Sequence, residues 1–142
     1  MLSVSILESP GEGFAADITH ALRASGVAVT AGNRADVVVV SPRYRGAANV
    51  ECGTVLTPDG GAITALGAKN VVTYGMSPRA TLTLSSLGET TAMLAVQREI
   101  ATAHGTVVEE QEIKVTAGKS ADATLAAAGA SIMLGLIPKT EA

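Results

Sequence analysis

The sequence predicts an α/β domain on a mixed sheet, parallel in its N-terminal half and closed by a late antiparallel hairpin, with helices packed on the sheet. Three observations predict it. Short apolar runs flank one segment of helical period in the first forty residues. Residues 36–41 hold four consecutive valines, the unbroken apolar run of a strand covered on both faces. Residues 91–115 alternate apolar with charged or polar positions, as strands with one wet face do.

Taken in order, residues 3–7 form a first strand, ended by Ser9, Pro10 and Gly11. Phe14, Ile18 and Leu22 fall four apart on one face of a helix over 13–25, with Arg23 in its last turn and Gly26 just beyond. Strands at 27–30 and 36–41 follow, so the opening reads β-α-β-β, a parallel sheet with a crossover helix. Residues 42–51 are polar and irregular. The strand 53–56 stops at Pro58, Asp59 and two glycines, and a short helix over 62–66 leads to the strand 70–74. After a turn at 75–78, residues 81–84 alternate as a half-buried strand. A long hairpin over 91–115 turns near 103–105, with Leu94, Val96 and Ile100 on one arm and Val107, Ile113 and Val115 on the other. Ser120 is the N-cap of a last helix whose face is Leu125, Ala128, Ile132 and Leu136, ended by Pro138. All of this fits one domain of 142 residues.

Composition excludes several function classes. The net charge is −3 and the ten Lys and Arg are dispersed, so no basic face exists to neutralise phosphates, and no nucleic-acid partner is expected. No apolar run reaches the roughly 18–20 residues of a membrane span, and no membrane association is expected. The N-terminus lacks the basic start and long apolar centre of a signal peptide. Cys52 is the only cysteine, which rules out an intrachain disulfide and a cysteine-rich metal site and makes a cytoplasmic location the expectation. With one Phe, two Tyr and no Trp, aromatic anchors are scarce.

The best local motif is Gly11-Glu12-Gly13-Phe14-Ala15-Ala16, a G-x-G-x-x-A after a strand and before a helix. In a dinucleotide-binding, Rossmann-like unit such glycines permit a tight turn and a close approach to pyrophosphate at the helix N-terminus. Arg34 then lies where a cation meets a 2′-phosphate, although Glu12 puts a negative charge beside the anion site. Arg43 and Arg45, flanking Tyr44, form a second candidate anion site. No G-x-x-x-x-G-K-[ST] loop and no G-x-S-x-G occur. His20 and His104 are far apart, without Cys or paired carboxylates at ligand spacing, so no metal site is expected. A hydrolase built on Ser85, Ser86 or His104 has no base placed by spacing. Glu109, Glu110 and Glu112 read as a solvated or edge-protecting face.

From Ala35 onward the motifs keep a recognisable order. Ala35 and Asp36 lead into the four valines; Gly53-Thr54-Val55-Leu56-Thr57-Pro58-Asp59-Gly60 follows, then Asn70-Val71-Val72-Thr73-Tyr74-Gly75, the hairpin, and an Ala-rich helix ending in Leu134-Gly135-Leu136. This series resembles the central domain of the Mur ligases, the ATP-dependent amino-acid-adding enzymes of peptidoglycan synthesis. The resemblance implies a Mur-ligase-middle-domain-like fold and puts Asp59 and Tyr74 beside a nucleotide site. Departures accompany it. The phosphate loop is missing, Thr57 stands where the family has an adenine-contacting Asn, and the segment between Pro42 and Cys52 is too short for the family's metal-binding part.

The expectation is therefore a non-catalytic Mur-ligase-like domain, needing no cofactor, that acts by protein binding or as a homodimer, with the late hairpin as the self-association surface. The alternative is a small nucleotide- or dinucleotide-binding protein using Gly11, Gly13 and Arg34, with Asp59 and Tyr74 in the same cleft.

Overall fold

The computed structural model describes residues 3–23, 27–30, 34–44, 48–59, 65–102 and 106–136. Its strands are β1 (Ser3–Leu7), β2 (Ala28–Thr30), β3 (Arg34–Val40), β4 (Ala48–Pro58), β5 (Ala65–Tyr74), β6 (Leu82–Leu87), β7 (Thr91–Val96), β8 (Ile100–Ala101), β9 (Val107–Val108) and β10 (Gln111–Thr116). Its helices are α1 (Phe14–Leu22) and α2 (Ala121–Met133). Eight strands form one sheet in the order β10-β7-β6-β5-β4-β3-β1-β2, while β8 and β9 make a separate ribbon. The strands β1 to β6 pair in parallel, and β7 and β10 complete the sheet antiparallel. The predicted mixed architecture is what the chain adopts.

Both helices lie on one face of the sheet. Phe14, Ile18 and Leu22 of α1 share a core with Val37, Val39, Leu56, Val72, Tyr74, Leu82 and Leu94, and α2 adds Leu125, Ile132 and Met133 to it. Val38, Val40 and Val55 form a second, smaller cluster on the opposite face, which explains why all four valines of β3 are buried. Farther along the sheet that face opens to solvent, and Val71 is 53% exposed. Parallel neighbours here are joined by short segments, residues 41–47 between β3 and β4 and residues 59–64 between β4 and β5. Both are shorter than the dozen or so residues of an ordinary crossover.

Helix α2 packs against α1 and across most of the sheet, from β3 to β7 and β10. Ser120 caps it as expected, its hydroxyl accepting from the Ala123 amide at 3.0 Å. Burial extends well beyond the stripe of Leu125, Ala128 and Ile132, to Ala126, Gly129, Ala130 and Met133. Gly129 is what lets the helix approach the sheet. A Cβ there would lie 2.8 Å from Leu56 Cδ2 and 2.8 Å from Leu82 Cδ1.

Four details differ from the sequence reading. Gly135, at φ 79°, ends α2 rather than Pro138: its amide bonds Ile132 O at 3.0 Å and the Leu136 amide bonds Ser131 O at 2.8 Å, a Schellman ending. Pro138 itself lies outside the described residues. Residues 48–51 belong to β4, not to an irregular segment, and Ala65 and Leu66 begin β5 where a short helix was expected. Parallel pairing overrides local propensity there, with Ala48 registered on Ala65 and Asn49 on Leu66. Finally, the long hairpin is interrupted: β7 pairs with β10, and its far end continues as the β8–β9 ribbon, with residues 103–105 outside the described set.

Candidate functional site

The sheet topology singles out one position. From β1 the chain moves to β2 on one side, whereas from β3 it moves to β4 on the other, so the strand order reverses between β1 and β3. Open α/β sheets bind ligands outside the carboxyl ends of the strands at such a switch point. A cleft of about 300 Å³ lies there, lined by Gly11, Glu12, Asp17, Arg43, Ser120 and Asp122, with Phe14 and Pro42 completing the wall.

The loop between β1 and α1 is shaped by its glycines. Gly11 and Gly13 have φ of 78° and 77°, a conformation L side chains rarely adopt. Nothing lies within 4 Å of a Cβ added at either position, so the glycines are there for backbone direction and not for close approach. Gly13 is the N-cap of α1 and has no side chain to cap it. Glu8 does this instead, its Oε1 accepting from the Ala15 amide at 3.0 Å.

Glu12 holds the rest of the loop. Its Oε1 accepts from the Ser9 amide at 3.1 Å and from the Ser41 hydroxyl at 2.5 Å, and its Oε2 accepts from the Arg43 amide at 3.2 Å. The Ser9 hydroxyl donates to Arg43 O at 2.8 Å, a second tie between the ends of β1 and β3. Burial raises the Glu12 carboxyl, but the Ser41 hydroxyl, the Ser9 and Arg43 amides and the Arg43 charge outweigh it and hold the group below the usual carboxylate range. The Ala15 amide in the first turn of α1, and the Ser9 and Arg43 amides beside it, are thus engaged by the chain's own carboxylates. Asp122, in the first turn of α2, is pushed up by burial and by the Glu12 charge. Asp17 pairs with the exposed Lys119 at 3.6 Å.

The residues expected to form a nucleotide site do not all converge. Gly11 and Arg43 line the cleft, and Gly13 borders it. Arg34 does not; it opens β3, at the end opposite Val40, about 20 Å from the cleft at the usual strand rise. Asp59 follows β4, two strands from β1, and its amide bonds Tyr74 O at 2.8 Å. It does not line the cleft. Tyr74 is fully buried, and its hydroxyl donates to Val40 O at 2.5 Å, tying β5 to the end of β3 from within the core. Burial, with the Asp122 and Glu12 charges, raises its hydroxyl far above the usual value. It is a strut under the cleft floor, not a ring open to a ligand. Arg45 lies outside the described residues.

Sequence reasoning missed Glu8, Ser41, Ser120 as a cleft residue, and Asp122. Only Glu12 carried a signal, as a charge beside the glycines. Among the described residues no three His, Cys, Asp or Glu side chains are grouped to hold a metal ion, and no helix is long and apolar enough to cross a membrane.

No protein-family model, curated protein or solved structure matches this chain.

Proposed function

We propose that this chain is a non-catalytic domain, Mur-ligase-like in the order of its elements, that acts by binding a protein partner or a second copy of itself. One observation carries the reading: Glu8 and Glu12 accept from the amides of Ala15, Ser9 and Arg43 around the N-terminus of α1. A phosphate at that helix end meets two carboxylates, one of which already holds the Ala15 amide. At about 4 Å and an effective dielectric near 20, each such pair of like charges costs about 4 kcal/mol, more than one helix end returns. Asp122 adds to the negative field, Asp17 less so because Lys119 pairs with it, and Arg43 is the one cation among the described cleft-lining residues. The resemblance supports the reading through 70–75 and the order of the runs around it, and its missing phosphate loop points the same way.

The second reading, a small nucleotide- or dinucleotide-binding protein, is favoured by the cleft's place at the switch point. A melting-temperature screen with ATP, ADP, NAD, NADP and UDP-sugars separates the two. At 100 times its dissociation constant a ligand stabilises by about 2.7 kcal/mol, several degrees for a domain of this size. A partner-binding domain gives no shift. A clear shift with any of these ligands replaces the first reading by the second.

A further inference from the structure

The last strand of the large sheet, β10, ends it on one side. The Ala117 amide bonds Thr90 O at 2.9 Å, and these residues continue the register that sets Thr116 opposite Thr91. In an antiparallel ladder bonded and non-bonded pairs alternate, so Ile113 and Val115 direct their backbone groups at β7. The amides and carbonyls of Glu112 and Lys114 point the other way, to the open edge. Their side chains are both exposed, on the sheet face away from the helices, whereas Ile113 faces the helices and packs against the core. Beside that edge runs a groove of about 540 Å³, walled by Ile113, Ile132, Leu136, Val107 and Val108 with polar residues, Glu112 and Lys114 among them, along its rim, and with Val107 55% exposed.

An edge guarded against pairing carries a bulge, a proline or charges that repel an approaching strand. Among the described pairings β10 has no bulge, its sequence has no proline, and its two charges alternate in sign; of the three glutamates read as a solvated or edge-protecting face, Glu109 and Glu110 precede the strand and only Glu112 lies in it. Glu112 and Lys114 are complementary to themselves read backwards. About a two-fold axis through Ile113, Glu112 falls opposite Lys114 of the second copy and Lys114 opposite its Glu112, as bonded pairs, closing four backbone hydrogen bonds. Shifting the axis to Glu112 or to Lys114 also satisfies the backbone but sets like charges directly opposite, which destabilises. An axis at Val115 pairs Lys114 with Thr116 and leaves Glu112 unmatched, so of these axes only the one at Ile113 satisfies the backbone and matches both charges. It also sets the two Ile113 side chains in a non-bonded pair, the closer kind, where the two grooves meet.

We infer that β10 pairs antiparallel with β10 of a second copy about a two-fold axis through Ile113, joining two eight-stranded sheets into one. This rests on the self-association half of the proposed function and names its surface and register. The test is sedimentation of the full chain across concentrations, with Glu112→Lys, Lys114→Glu and the double exchange. Wild type is expected to be a dimer. Each single reversal raises the dissociation constant about tenfold or more, because it sets like charges opposite each other across the axis. The double exchange restores the affinity, since the two positions then carry opposite charges again. In a Cys52→Ser background, Ile113→Cys cross-links on oxidation, since its Cα atoms lie about 4.5 Å apart. Lys114→Cys does not, its copies being offset by two positions on each strand. A chain monomeric at every concentration, or a dimer indifferent to the single reversals, overturns the inference. Either result leaves the nucleotide screen to judge the wider reading by itself.

Discussion

Replacing Glu12 by Gln tests how the β1–α1 loop is held. The carboxylate accepts three bonds, two on Oε1 and one on Oε2. Glutamine has one acceptor oxygen, so whichever way its amide turns, an N–H faces the Arg43 amide or the Ser9 amide. One accepted bond is lost and the rest lose their charge assistance. A lost bond to a charged group is worth about 1.5–3 kcal/mol when shielded. The residue is half-buried, so solvent replaces part of this and about 1 kcal/mol remains. For a chain of this length the melting temperature falls by about 4 °C. The pH dependence has a definite sign. Glu12 is held below its unfolded value, so its contribution is full above about pH 4.3 and is lost as the pH falls through the folded value. Melting curves of wild type and Glu12→Gln, followed by circular dichroism from pH 7 to pH 3, should therefore converge at the acid end. A gap that stays constant with pH, or no gap at pH 7, would refute the assignment.

Two further substitutions probe the core. The Thr57 hydroxyl is buried and finds no hydrogen-bond partner among the described residues, so Thr57→Val should raise stability by about 1 kcal/mol in chemical denaturation; a loss of that size contradicts it. Gly129→Val drives its side chain into the fully buried Leu56 and Leu82, and should cost about 3 kcal/mol or more by the same assay, beyond any gain in helix propensity. A neutral result there means that α2 does not sit as tightly on the sheet as described.

The fold was legible where one residue type could satisfy only one environment. Four valines in a row demand cover on both faces, and β3 has it. Phe14, Ile18 and Leu22 can share a face only in a helix, and all three are buried. Ser120 before an Ala-rich run is a cap by its chemistry, and it caps. Where burial depends on neighbours distant in the chain, local pattern failed. Alanine and glycine carry too little contrast to show that α2 is enclosed on most sides, and parallel pairing drew Ala65 and Leu66 into β5.

The site was less legible for a related reason. Two glycines before a helix look the same whether they make room for a phosphate or turn the chain through a left-handed conformation; here φ shows the second. Arg34 stands 21 positions after Gly13, where a 2′-phosphate contact was expected, but it opens β3 and strand direction carries it to the far end of the sheet. Glu8 lies seven positions from the amide it caps, a contact that only the folded loop produces.

The central claim is that the chain's own carboxylates occupy the anion site. It is tested most directly by comparing nucleotide- and phosphate-induced melting shifts of wild type and Glu12→Ala. Removing this carboxylate frees the Ser9 and Arg43 amides and the Ser41 hydroxyl beside the Arg43 guanidinium. No shift is expected for wild type, and a shift of several degrees for the variant at saturating anion. A wild-type shift that the variant loses would contradict the claim, and would make Glu12 part of a true ligand site.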